Sequence, residues 1–279
     1  MPIAPGIVVV DSTFLKQLKA PEAIRRIEAN ARAAHLTIAL SVPNVVEALK
    51  HPNKEIRAEL LAAIRRWSRN RPLNPWPLDL LHMAGEALPS VEFTYGPDQI
   101  DVLLDRPDEL AADHEKAVRY LEALETRFAE PYERNRPELQ QALRAFGLRD
   151  AWTNVGEFLE SAAWIGDPNQ TALIAMIWEL AGLATPPPAN EIVRRSEVWR
   201  LALDVFGAAI FTRALRANRQ ANPPGFVDLF QWLYLSEHSR ARILLTNDGS
   251  LLETSNQALR GRYINLRIIS GDDFLSQAV

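Results

Sequence analysis

Four acidic residues, far apart along a chain of 279 residues, stand where folding could gather them: Asp11, Glu47, Asp228 and Asp248. Asp11 ends the apolar run Ile7-Val8-Val9-Val10, and Asp248 closes the run Ile243-Leu244-Leu245-Thr246-Asn247. Unbroken runs of this kind read as strands buried on both faces of a parallel sheet. Both acids then fall at the sheet's C-terminal edge, where open α/β folds bind ligands. Glu47 follows a third such run, Leu36 to Leu40, in the first turn of the helix expected around Pro43. Asp228 opens a helix ahead of the Asp248 strand, a position that suits a carboxylate for capping as well as for chemistry. Carboxylates brought to one edge repel one another unless a cation neutralises them. The chemistry they would share is that of a hard divalent ion held by oxygen. Taken singly, each is also an ordinary turn or cap residue.

Composition narrows the field. With no cysteine, disulfides, thiol nucleophiles and Cys-held zinc are excluded, and a reducing cytoplasm suits the chain. The five histidines show no metal-binding spacing, so any metal would be held by oxygen. The N-terminal apolar run lacks a basic flank and is interrupted by Asp11, unlike a signal peptide, and no stretch reaches the roughly 18 apolar residues of a membrane span. A soluble cytoplasmic protein is expected. The net charge of −4 argues against a strongly electrostatic nucleic-acid binder, but its distribution is uneven. Residues 1–49 and 190–279 hold 16 Lys/Arg and 13 Asp/Glu, whereas residues 50–189 hold 15 and 22.

The elements that must position the acids follow in order. Phe14, Leu15 and Leu18 mark a helix after Asp11, Pro21 to about Ala34 a second, and Val45, Val46 and Leu49 the stripe of a third. Thirteen of the 19 prolines then fall between residues 50 and 189, separating amphipathic segments such as Ile56/Leu60/Ile64/Trp67, with Val91-Glu92-Phe93 the one strand candidate. Residues 51–189 therefore read as an all-helical insertion. A long helix follows Asn190, with Val198, Leu201, Val205, Ala209 and Ile210 apolar, and Leu266-Arg267-Ile268-Ile269 is a last strand. The β-α-β-α order at both ends predicts one parallel sheet, of an α/β fold, interrupted by the insertion.

Val8-Val9-Val10-Asp11-Ser12-Thr13-Phe14-Leu15, Val42-Pro43-Asn44-Val45-Val46-Glu47, and Asp228 followed 18 residues later by Thr246 in Leu244-Leu245-Thr246-Asn247-Asp248 resemble the ordered acidic motifs of PIN-domain nucleases. The resemblance covers residues 1–50 and 190–279, with Thr-x-Asp after an apolar strand its most specific part. It implies a PIN-like three-layer α/β/α domain whose central parallel sheet has the order 3-2-1-4-5. It also implies a Mg²⁺ or Mn²⁺ site and hydrolysis of RNA phosphodiesters, the RNA being single-stranded. In that reading Asp11, Asp228 and Asp248 ligate the ion, Glu47 ligates or orients the attacking water, and Thr13 and Thr246 hold the ligands in orientation. PIN domains commonly carry Asn two residues after the first Asp, where this chain has Thr13. Asp204 and Glu191 are further acids with no assigned place.

Candidate phosphate contacts are Arg65, Arg66, Arg69 and Arg71 beside Trp67, and Arg213, Arg216 and Arg219. As solvated helix faces these arginines need no such role. Two rival readings stand beside the nuclease. Haloacid-dehalogenase-like phosphatases also place Asp after a strand, but need a second Asp where Thr13 stands. A catalytically inactive PIN-like module would instead be a scaffold, binding protein or RNA through its helical insertion. Either PIN-like reading leaves room for a protein partner or a homodimer.

Overall fold

In the computed structural model the described residues are 6–17, 21–69, 73–84, 196–216, 230–236, 241–259 and 265–276, with shorter pieces at 104–106 and 113–119 and single or few positions at 121–123, 126, 130, 134, 137, 157, 159, 228 and 263. From the first end of the chain come strand β1 (Gly6–Val10), helices α1 (Ser12–Gln17) and α2 (Pro21–Ala33), strand β2 (Leu36–Ala39) and helix α3 (Val42–Leu49). From the other come helix α6 (Glu197–Arg216), a 3-10 turn at Gln231–Leu235, strand β3 (Ile243–Thr246), helix α7 (Gly249–Leu259), strand β4 (Arg267–Ser270) and helix α8 (Gly271–Ser276). Between them lie α4 (Lys54–Ser68) and α5 (Pro77–Ala84).

All four strands are parallel, in the order β2-β1-β3-β4. Burial explains their composition: Val8, Val9, Val10, Leu244 and Leu245 are fully enclosed, so branched apolar side chains on both faces are what the position requires. The chain winds from β1 to β2 on one side, and later from β3 to β4 on the other. β1 and β3 pair directly, Val9 opposite Leu244, so the winding reverses between them. A parallel bridge between Ser41 and Asn74 extends the pairing beyond the end of β2.

One core joins both ends of the sequence with α4 and α5. Leu60, Leu61, Ile64, Leu80 and Leu81 are buried in it, so the first part of the segment read as an insertion packs against the sheet domain. Each such side chain contributes about 1.5–3 kcal/mol by leaving water. Helix α6 buries Val198, Trp199, Leu201, Ala202, Leu203 and Val205, faces that no single amphipathic stripe accounts for; it is enclosed on several sides. The strand candidate at 91–93, the proposed cap Asn190, Glu191, Arg71 and Arg219 lie outside the described residues. Among the described residues no helix is long and apolar enough to cross a membrane.

Candidate functional site at the switch point

Where the winding reverses, β1 runs directly into Asp11. The peptide N–H of Asp11 donates to Leu245 O at 2.8 Å, holding the turn against β3, and its own carbonyl accepts from Phe14 and Leu15 to begin α1. The Asp11 side chain is 1% exposed. A carboxylate buried to that extent costs several kcal/mol unless donors replace its water. Here they come from three directions. Thr246 Oγ1 donates to Asp11 Oδ2 at 2.8 Å, the Thr13 hydroxyl makes a short bond to the same oxygen, and Thr13 N–H approaches it at 3.3 Å. Gln231 Nε2 donates to Oδ1 at 2.5 Å. Charge-assisted bonds of this kind are worth about 1.5–3 kcal/mol each, enough to offset the desolvation.

The supports are themselves tied down. Thr13 Oγ1 and Thr246 Oγ1 lie 3.3 Å apart, Asn247 N–H donates to Thr13 Oγ1, and Asp248 N–H donates to Thr246 Oγ1 at 3.0 Å. Asn44 Nδ2 donates to Val10 O at 2.9 Å, while its Oδ1 accepts from the Ser41 N–H and hydroxyl, so the start of α3 is fastened to the last residue of β1. Asn247 Oδ1 accepts from Gly271 N at 2.8 Å and links the end of β3 to the start of α8. A Cβ on Gly271 would collide with the Phe14 ring of α1, which is why α8 begins on a glycine.

The remaining expected acids are placed differently. Asp248 is half-buried, and its Oδ1 accepts from Leu251 N at 2.8 Å, which makes it the N-cap of α7. Helix α3 begins at Val42, so Glu47 lies one turn further in than the sequence suggests, and it too is half-buried. Asp228 is half-buried on helical backbone three residues ahead of Gln231. Asp204 lies on α6, where Tyr263 donates to it at 2.8 Å. Among the described residues, no three acidic or histidine side chains are gathered so that they could hold a metal ion.

Of the candidate phosphate contacts, Arg65 pairs with Asp105 at 2.5 Å, and Arg66 and Arg69 are exposed at the end of α4. Arg213 and Arg216 fall in the last turn of α6.

Gln231 is a member of the centre that sequence reasoning missed. It is 3% exposed, and its Oε1 is buried without a hydrogen-bond partner. Asn247 Nδ2, on the turn after β3, is likewise buried and unpartnered. The signal that could have found Gln231 is its place as a lone polar residue in Leu229-Phe230-Gln231-Trp232-Leu233, one helical step from Asp228. Tested against a hard divalent cation, the centre fits in kind. Asp11 offers carboxylate oxygen, the orphaned Gln231 carbonyl offers a neutral oxygen beside it, and Mg²⁺ commonly needs only one or two carboxylates with water and substrate phosphate completing its shell.

Compared with protein-family models, with curated proteins and with solved structures, the chain matches none.

Proposed function

We propose that this chain is a PIN-like, Mg²⁺- or Mn²⁺-dependent endoribonuclease, working on single-stranded RNA at the sheet edge around Asp11. The observation that carries this reading is the position of Asp11. It is a buried carboxylate ringed by hydroxyl and amide donors, at the C-terminal end of the central strands and at the point where the winding reverses. Parallel α/β sheets open their ligand crevice there. Carboxylates that ligate metals are characteristically fixed by such outer hydrogen bonds. The strand arrangement is compatible with the order 3-2-1-4-5: β2, β1, β3 and β4 stand for its members 2-1-4-5, and the bridge at Asn74 falls beside β2, where member 3 would lie.

In this function Asp11 is the central acid, and Asp248, Glu47 and Asp228, which form no three-acid group with it among the described residues, would act on the ion through water. An ion bound there would lower the pKa of a water and stabilise charge on the phosphoryl oxygens. Thr13 and Thr246 hold the Asp11 carboxylate in one orientation, so its lone pairs need no rearrangement during reaction. Arg66 and Arg69, with Arg213 and Arg216, are the candidates for positioning the RNA backbone, and Arg65 would have to leave Asp105 to join them.

The test is cleavage of a labelled single-stranded RNA by the full chain with Mn²⁺, alongside Asp11→Asn. Cleavage by the native chain and its loss in the folded variant are expected. Equal cleavage by both would overturn the assignment. RNA or protein binding without any cleavage would leave the non-catalytic scaffold as the better description.

A further inference from the structure

Gln231 belongs to the site in a way that neither the acidic motifs nor a packing role accounts for. Its amide presents nitrogen to Asp11 Oδ1, because its oxygen in that place would set two acceptors face to face. The carbonyl oxygen on the same planar group must therefore look elsewhere, and it ends buried with no donor. Leaving a carbonyl so enclosed costs about 1–3 kcal/mol. Its neighbours Phe230, Trp232, Leu233, Tyr234 and Leu235 are all buried, and the cost is set against the donor bond that the same amide gives Asp11.

We propose that Gln231 is a ligand residue, its Oε1 serving with the Asp11 carboxylate as an oxygen pair for a hard divalent cation of the Mg²⁺ or Mn²⁺ type. The pair carries a single negative charge. It explains how an ion is held although no three acids are gathered among the described residues, because a neutral oxygen adds a ligand without adding repulsion. The amide then has two tasks on one group: its nitrogen fixes Asp11, and its oxygen faces the ion. This inference rests on the reading of the Asp11 centre as a metal site.

The experiment is Mn²⁺ titration of the full chain, followed by the electron paramagnetic resonance of free Mn²⁺, with Gln231→Leu and Gln231→Glu compared after circular dichroism has shown each to be folded. Gln231→Leu is expected to bind about tenfold to a hundredfold more weakly. Gln231→Glu keeps an oxygen but cannot donate to Asp11, and it is expected to bind at least as tightly as the native chain. Native binding by Gln231→Leu, binding by Gln231→Glu as weak as that of Gln231→Leu, or no Mn²⁺ uptake by the native chain would each overturn the proposal. Should Gln231→Leu fail to fold, Gln231→Glu decides against the native chain alone, and binding about tenfold or more weaker than native overturns the proposal. RNA cleavage is scored separately. If the Mn²⁺ pattern holds and RNA stays intact, the ligand assignment stands and the nuclease reading falls. If Mn²⁺-dependent cleavage occurs and Gln231→Leu binds normally, the reverse follows.

Discussion

Asp11 and Asp248 end neighbouring strands of the same sheet, each after an apolar run, yet their surroundings differ. Asp11 is enclosed and takes its hydrogen bonds from side chains contributed by three separate parts of the sequence. Asp248 is half-buried and accepts from the backbone three residues ahead, as any helix-capping Asp does. A strand ending in an acid thus has two structural uses. Long-range side-chain donors, not the local motif, separate the buried, enclosed carboxylate from the one that closes a helix.

The largest effect that would sharpen this contrast is on turnover. Asp11→Asn should lower Mn²⁺-dependent RNA cleavage about a thousandfold, the scale of losing a preorganised electrostatic group, whereas Asp248→Asn should lower it about tenfold to a hundredfold. Parallel rate measurements check this, and equal losses would erase the distinction. The next effect is on stability. Thr246→Val removes a donor to Asp11 and an acceptor for Asp248 N–H, and should cost about 1–3 kcal/mol in urea denaturation, while Thr246→Ser should recover most of it.

A third carboxylate extends the comparison. Asp79, on α5, is half-buried, and the one donor opposing its desolvation is a backbone group, that of Trp76. Burial pushes its pKa from 3.8 up to about 6, with the Trp76 backbone hydrogen bond only partly opposing. The folded protein therefore holds a proton that the unfolded chain releases, so stability falls as pH rises from about 4 through about 6 and stays lower above. Asp79→Asn should remove that decline: the variant should be the more stable at pH above about 7, with the gain vanishing below about pH 4, as read from thermal unfolding across pH. A gain that did not depend on pH would show that burial of Asp79 is not the cause. The smallest effect is on the cap. Asn caps helices about as well as Asp, so Asp248→Asn should change stability by less than about 0.5 kcal/mol even as cleavage drops. A larger loss would place Asp248 nearer to Asp11 in kind.

What the sequence revealed followed from locality. Strands at residues 7–10, 36–40, 243–246 and 266–269 announce themselves as short runs rich in Val, Ile and Leu, interrupted only by Thr37, Ala39, Thr246 and Arg267, and β1 to β4 lie there within a residue or two. Asp11 was legible because it directly ends such a run. Gln231 was not, because the partner that gives it meaning is 220 residues away and its neighbours make it look like one polar interruption in a core segment. Glu47 was misplaced by a turn because Pro43 marks an early helical position without fixing the first one, and Val42 takes the start. The boundary at residue 50 marks a change in composition, yet α4 and α5 share the core across it, since packing does not respect where prolines become frequent.

The pairing of β1 with β3 joins the beginning of the chain to its last fifth. Closing so long a loop is slow, and β1 gains that neighbour only when the last strands have been made. A ribosome-bound nascent chain would carry Asp11 through 220 further residues before Gln231 is added, and 235 before Thr246. Until they arrive, the Asp11 carboxylate lacks two of the donors that offset its burial in the folded protein.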